Sequence, residues 1–395
     1  MAKQIAHVKG ELLRWARESI GMDISSAAAA AGISPERLEA WELSDDEKPT
    51  IPQLRELARV YKRPLAAFYL PEPPTDFMVP HDFRKLPGDT PAPYSPQLRT
   101  ELRKAQFRRQ TAIELADEIP TAAFVGSASI TAPPEVLSTE IRRLLNVTLE
   151  EQFAWTDFYD ALNAWKNAIE HLGVLVFHFS EVAVSEVRGF SFSQIPFPII
   201  GINGSDSPPG RIFSLIHELC HLLLGQSGSC DFEERSQIPS HESRIEAFCN
   251  RAAGAVLVPL HALTNEPLVA EFSNCTEWPD DRLNYLAKKY RVSTEVILRR
   301  LLIAGKTNEA FYKARREAWL RERQGSTEGQ GGFMTVPRRA VRTLGQPFIR
   351  LILDAYYNDR ITTSDLSEYI GVRIKHIPDI EGLLATHNRL TGGDR

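Results

Sequence analysis

The chain has only four cysteines in 395 residues, and their placement excludes more than their number does. Cys220, Cys230, Cys249 and Cys275 form no C-x-x-C pair, so their spacing fits neither a disulfide framework nor a cysteine-ligated zinc module. Free thiols in a reducing compartment are the expectation. Long apolar runs are also missing. GVLVFHF at 173–179 is far too short to span a bilayer. The first residues, MAKQIAHVKGELLRWARESIG, lack the unbroken apolar centre of a secretory signal. A cytoplasmic protein with no membrane partner is therefore expected. Nor does one sign of charge dominate. Lys and Arg number 46 against 51 Asp and Glu, a net charge of −5, which excludes a generic polyanion binder and leaves only local basic regions for nucleic acid. No repeat of solenoid period occurs.

What is present is ordinary in bulk and specific in detail. Hydrophobic residues make up 43% and charged residues 25%, enough to bury real cores, and the length calls for two or three domains. Residues 11–70 read as a compact set of five short helices. Leu12, Leu13, Ala16 and Ile20 have helical spacing, and Gly21 ends the run. Asp23 is an N-cap for an alanine-rich helix that Gly32 closes. Ser34 caps a third helix with Pro35 at its first position. Two more helices follow at about 51–61 and 63–69. Eight prolines between 71 and 96 mark a linker, and a charged helix at about 96–118 follows it. Strands are expected at 173–179 and 197–203. GSDSPPG reads as a loop, RIFSLIHELCHLLLG as an apolar helix, and 241–257 as a second helix.

The first of these two helices carries His217-Glu218-Leu219-Cys220-His221, an H-E-x-x-H motif. Residues four apart share a helix face, so both imidazoles can bind one ion while Glu218 reaches a water on it. Catalytic zinc takes three protein ligands and keeps one position open. Glu246, on the second helix, is the best local candidate for the third. Asn250, one turn on, is placed to hydrogen-bond the outer nitrogen of a ligand histidine. Ala247, Ala252, Ala253, Gly254 and Ala255 are small enough to let the two helices pack closely, and Cys220 reads as a buried spacer. The chemistry expected is zinc-assisted hydrolysis, with Glu218 as the catalytic proton carrier. His241, Arg244 and Tyr285 are candidates for a second electrophile. The strand at 197–203 is a candidate for pairing with an extended peptide. Two blander readings stand beside this one: packed core histidines without metal, and a metal site without turnover.

RIFSLIHELCHLLLG followed by EAFCNRAAGAVLVP at 246–259 resembles the ImmA/IrrE family of metallo-endopeptidases. Glu246, Asn250 and Pro259 fall on that family's glutamate, asparagine and proline. Cys249, Ala252 and Val258 depart from it at packing positions. VRGFSFSQIPFPIIGING resembles the family's strands, and HDFR at 81–84 its linker in members with a helix-turn-helix. The resemblance implies Zn2+ as cofactor and regulated cleavage of a protein substrate, a transcriptional repressor or antitoxin-like regulator, in stress, mobile-element or phage-related responses. Residues 11–70 in turn resemble the XRE, or Cro/repressor-type, helix-turn-helix. By that resemblance Ala28-x-x-x-Gly32 is a tight helix crossing, and Pro35, Glu36, Arg37 and Ala40 face the DNA groove. Charge tempers this, because residues 1–70 hold ten basic and ten acidic side chains. A protein-docking role competes with DNA binding.

Residues 306–350 carry ten basic side chains against four acidic ones, read either as a solvated helical face or as a second nucleic-acid or partner surface. LNYLAKKYRVSTEVILRRLLIAG at 283–305 has a helix-turn-helix-like rhythm. The fold class expected is α+β, mainly helical. It comprises a five-helix XRE-type domain at 1–72, a Pro-rich linker and helix at 73–125, and a zincin-like metallopeptidase domain at 126–270 with a small sheet. A helical C-terminal region at 271–395 completes it, with a flexible joint near 325–332. Self-association into a homodimer is a further expectation. The alternative function is a DNA-binding transcriptional regulator or antitoxin-like partner whose zinc site is structural or sensory.

Overall fold

A computed structural model describes residues 5–43, 47–61, 63, 65–73, 94–226, 228–230, 241–272, 276–325 and 334–391. The proline-rich stretch after 73 with its HDFR segment, most of residues 226–240, and nearly all of the joint expected near 325–332 lie outside the described residues. The described chain divides into two compact units, one holding residues up to 73 together with 94–107, the other running from 108 onward.

The first unit is built from α1 (Gly10–Ser19), α2 (Ile24–Ala31), α3 (Pro35–Leu43), α4 (Ile51–Val60), a 3-10 turn (Leu65–Tyr69) and the start of α5 (Pro96–Leu115). The fifth short helix expected at 63–69 is thus a five-residue 3-10 turn, tighter than an α-helix and typical of short connectors. Asp23 accepts from Ser26 N at 2.8 Å and starts α2. Gly32 ends it in the left-handed region at φ 66°, with Ile33 N returning to Ala28 O at 3.0 Å. Gly32 serves this turn and not a helix crossing, since a Cβ there would meet nothing within 4 Å. The close approach is at Gly10 instead, where a Cβ would sit 2.7 Å from the carbonyl oxygens of Trp41 and Glu42. Leu13, Ala16, Leu38, Trp41, Leu54, Leu57, Tyr61 and Phe68 close the core.

The second unit opens with α6 (Pro134–Leu145), α7 (Leu149–Ala154) and α8 (Phe158–Glu170). A sheet of β1 (Leu175–Phe179), β2 (Gly189–Phe192), β3 (Ile199–Asn203) and β4 (Gly228–Cys230) follows, in the order β1-β3-β2-β4. β1 and β3 are parallel, and β2 runs antiparallel to both β3 and β4. β3 therefore has partners on both sides and cannot receive a peptide by strand addition, which corrects the expectation for 197–203. Every residue of β1, β2 and β3 is buried, as strands covered on both faces require.

Against the sheet lies α9 (Pro208–Leu223), which starts three residues before the helix expected from 211. Ser207 caps it by accepting from Gly210 N, and Pro208 and Pro209 fill its first two positions, where a missing N–H costs nothing. α10 (His241–Leu257) packs on α9. The last carbonyls of α10 have no helical partners, and side chains from three other helices supply them. Arg142 reaches Val256 O at 2.8 Å, Gln152 reaches Leu257 O at 2.9 Å, and Arg300 reaches Val258 O at 2.7 Å. Both guanidinium groups also suit the negative end of the helix.

The chain continues through α11 (Leu260–Thr264), α12 (Pro267–Glu271), α13 (Asp280–Tyr290), α14 (Thr294–Ile303) and α15 (Glu309–Gly325). The last helices are α16 (Val336–Leu344), α17 (Gln346–Tyr357), α18 (Thr363–Ile370) and α19 (Ile377–Thr391). Leu283, Leu286 and Tyr290 of α13 and Ile297, Leu298 and Leu301 of α14 join the same core as α9 and α10. Much of the basic charge on α15 is already paired: Arg316 with Glu295, Lys313 with Glu309, and Arg315 with Asp280. That favours the solvated-face reading of this helix over a nucleic-acid surface. Among the described residues no helix is long and apolar enough to cross a membrane.

Candidate metal centre

α9 and α10 bring together the residues that the sequence singled out. The ligand atoms of His217, His221 and Glu246 all lie within 4.8 Å of one another. His217 Nε2 and His221 Nε2 are 3.0 Å apart, Glu246 Oε2 is 3.3 Å from His217 Nε2, and Glu246 Oε1 is 3.0 Å from His221 Nε2. With metal–ligand bonds of about 2.0–2.1 Å, the edges of a tetrahedron are roughly 3.3–3.4 Å, so one ion fits among these three atoms with little adjustment. Both histidines and Glu218 have no exposed surface, whereas the Glu246 side chain keeps 14%.

The electrostatics point the same way. Burial opposes the charge of Glu246, yet His221 and His217 hold its carboxyl well below the usual carboxylate range. Burial likewise pushes His217 down. At His221 burial is outweighed by Cys249 and Glu246, which raise it well above the ordinary value. A buried carboxylate thus demands a neighbouring positive charge, and a divalent cation among these atoms meets that demand. Two imidazoles and one carboxylate are a donor set that suits zinc.

Glu218 stands beside this trio. Burial pushes its carboxyl up to about 8, with the His221 ring and the Ser191 hydroxyl acting against the rise. Ser191 Oγ donates to Glu218 Oε2 at 2.7 Å, while Oε1 has no hydrogen-bond partner. Gly189 makes room for it, because a Cβ there would lie 3.0 Å from Oε1 and 3.1 Å from Cγ. Neither Ser191 nor Gly189 is visible in the sequence pattern. Their side-chain direction depends on the register of β2, where Ser191 pairs with Ile200 and Gly189 with Ile202. Asn250, 5% exposed, acts on His217, and the Cys249 thiol acts on His221, each favouring a protonated ring. Cys249, which reads in the sequence only as a packing departure, is therefore a neighbour of His221. Of the other electrophile candidates, Tyr285 is 56% exposed on α13 and Arg244 is exposed on α10, and neither hydrogen-bonds to the trio. The side chain of His241 lies outside the described residues.

Pro35, Glu36, Arg37 and Ala40 all fall on α3 in the first unit. Glu36 and Arg37 are exposed, Pro35 and Ala40 half-buried, and Arg37 lies over the Trp41 ring at 5.3 Å. Exposed Glu39 keeps the helix surface acidic beside Arg37.

A mainly helical α+β unit with a small mixed sheet and an H-E-x-x-H helix, preceded by a helix-turn-helix unit, defines a peptidase-type protein with a regulator-type module. Family comparison makes the assignment specific. Residues 169–302 match the peptidase family described as the IrrE N-terminal-like domain, and residues 13–68 match the family described as helix-turn-helix. Both resemblances read from the sequence are borne out, and the peptidase match runs through α14. No curated protein matches the chain.

Proposed function

We propose that the protein is a zinc-dependent endopeptidase that cuts a regulatory protein, a repressor or antitoxin-like substrate, to control transcription. The observation that carries this reading is the buried His217–His221–Glu246 trio, with Glu218 beside it holding one carboxylate oxygen fixed and the other free. His217, His221 and Glu246 would hold a zinc ion, which would supply Lewis-acid polarisation of the peptide carbonyl and lower the pKa of water. Glu218 Oε1 takes the proton of the attacking water and passes it to the leaving amine. Ser191 keeps Oε2 in place throughout, so the moving proton has one destination. Asn250 beside His217 and Cys249 beside His221 are placed to orient the two imidazoles. The short strand β4 lies at the end of the sheet order beside β2, which places it better than β3 to pair with an extended substrate. The helix-turn-helix unit brings the enzyme to DNA or to a partner of like fold, and the neutral charge balance of residues 1–70 makes strong DNA affinity by itself unexpected.

A second reading rests on that same unit: a DNA-binding regulator with a structural or sensory zinc site. One experiment separates the two. Proteomes of cells carrying wild type or Glu218→Gln are compared, with metal content measured on both purified proteins. Peptidase function predicts a regulator fragment seen only with wild type, at equal zinc content. Equal cleavage by both proteins would overturn the role of Glu218. Operator occupancy that survives the substitution, with no cut protein in either cell, would favour the regulator.

A further inference from the structure

The end of α1 carries a charge arrangement that the peptidase reading does not use. Arg63 Nη2 donates to Ser19 Oγ at 3.1 Å, and Arg103 Nη1 of α5 approaches the same oxygen at 3.4 Å. Two guanidinium groups sharing one hydroxyl stand next to each other. Arg99, one turn before Arg103, adds a third. Its Nε donates to Tyr94 O at 3.1 Å and lies where a Cβ on Gly21 would come within 2.9 Å. Arg63 also stacks over Trp15 at 4.1 Å, which fixes the plane of its fork.

Among the described residues no acid forms an ion pair with Arg63, Arg99 or Arg103. Among the described residues of this unit Glu42 is held by Arg17, Glu56 by Arg59, Glu101 by Lys104 and Glu11 by Lys9, while Asp23 caps α2 through Ser26. Ser19 Oγ is a neutral acceptor, and its own hydrogen goes to Ala16 O at 2.8 Å. The carbonyl end of α1 contributes about half a negative charge, far short of three positive ones. Arg63 Nε is buried and has no hydrogen-bond partner at all. Burial pushes both Arg63 and Arg103 down to about 10, and the charges of Arg63 and Arg99 add to the shift at Arg103. Arg63 and Arg103 still carry their charge at neutral pH, so these two neighbouring guanidinium groups repel each other.

The cluster also lies away from the helix that would meet DNA. Successive helix residues turn by about 100°, so positions 17 and 19 of α1 point roughly 200° apart. Arg17 points to Glu42 of α3, at 2.7 Å. Ser19 and the three arginines therefore stand on the opposite side of α1 from α3.

We propose that Ser19, Arg63, Arg99 and Arg103 form a binding site for a phosphate-type oxyanion, either free inorganic phosphate or the phosphate of a mononucleotide. Planar guanidinium forks match that group by pairs of parallel hydrogen bonds, and several together neutralise its charge. The bound anion would tie the α1–α2 turn and the residue after α4, both inside the helix-turn-helix match, to α5, which lies outside it.

The test is scanning calorimetry of the full-length protein in potassium chloride, with inorganic phosphate or AMP added at matched ionic strength. Phosphate at about ten times its Kd should raise the transition of the first unit by about 5–10 °C. Arg63→Gln and Arg103→Gln should abolish that rise. In chloride alone each variant should melt at or above the wild-type temperature, because it loses a repelled charge, and this result also shows that it folds. Arg55→Gln, at an exposed arginine of α4, should respond to phosphate as wild type does. AMP binding at least tenfold tighter than phosphate identifies a nucleotide as the source, and equal binding identifies the free anion. No phosphate-specific rise in wild type, or an equal rise in Arg63→Gln and Arg103→Gln, overturns the site.

Discussion

A missing side chain sets the position of Glu218. The carboxylate reaches its place only because residue 189 has no Cβ, and Ser191, two residues along the same strand, then holds Oε2 at 2.7 Å. Gly189→Ala pushes a methyl group against Oε1 and Cγ of Glu218, moving that oxygen without touching His217, His221 or Glu246. Displacements of the order of an ångström in a catalytic group cost about a hundredfold in rate. The variant should therefore bind zinc as wild type does, by metal analysis, while kcat/KM for the substrate falls about a hundredfold. Cleavage at wild-type speed with Gly189→Ala would show that Glu218 needs no such fixed seat. The candidate trio is legible in sequence because helical spacing is local: His221 follows His217 by four positions, and Asn250 follows Glu246 by one turn. Gly189 and Ser191 are not legible. They precede Glu218 by 29 and 27 positions and reach it only through the pairing of β2 with β3.

Among the elements, β1 shows how a buried strand ties stability to pH. His178 is its fourth residue, 5% exposed, with Nδ1 lacking a hydrogen-bond partner. Burial, then the charges of Lys166 on α8, Arg342 on α16 and Arg211 on α9, push its pKa well below 6.5. Lys166 itself is paired with Glu170 at 3.5 Å. The folded chain thus keeps this ring neutral, whereas the unfolded chain protonates it at about 6.5. The unfolded state binds the extra proton, so stability is lost as pH falls below about 6.5, by up to roughly 1.4 kcal/mol per pH unit. With zinc saturating in both proteins, His178→Gln should flatten the acid side of the melting profile of the second unit between pH 6.5 and 5. An unchanged slope would place the lost stability elsewhere. Elements with their own signals were readable: α3 from Ser34-Pro35, α10 from its small residues and Pro259. The failures were tertiary. Pro208 and Pro209 read as loop but open α9, and the apolar run at 197–203 gave no hint that β3 is flanked on both sides.

The whole molecule is two units with separate cores, and that separation has a measurable consequence. The first unit is locked by one buried ion pair. Arg17 Nε meets Glu42 Oε1 at 2.8 Å and Nη2 meets Oε2 at 2.7 Å, with only 10% and 2% of the two side chains exposed. The same guanidinium donates to Met22 O at 2.9 Å, so it joins α1, α3 and the turn between α1 and α2. Glu42→Gln leaves Arg17 charged, buried and without its carboxylate, a loss that costs about 3–5 kcal/mol when nothing replaces it. Glu18 is already 3.5 Å from Arg17 but is 60% exposed, and an ion pair in water offsets little of that. The C-terminal end of α10 has supports of its own, Arg142, Gln152 and Arg300. Calorimetry of Glu42→Gln should therefore show one transition displaced downward and another unmoved, with zinc content and intrinsic peptidase activity at wild-type values. A single cooperative transition shifting as a whole would mean that the helix-turn-helix unit stabilises the peptidase unit. Control of the protease would then run through folding of the first unit, and any ligand that tightens that unit would also raise the stability of the enzyme.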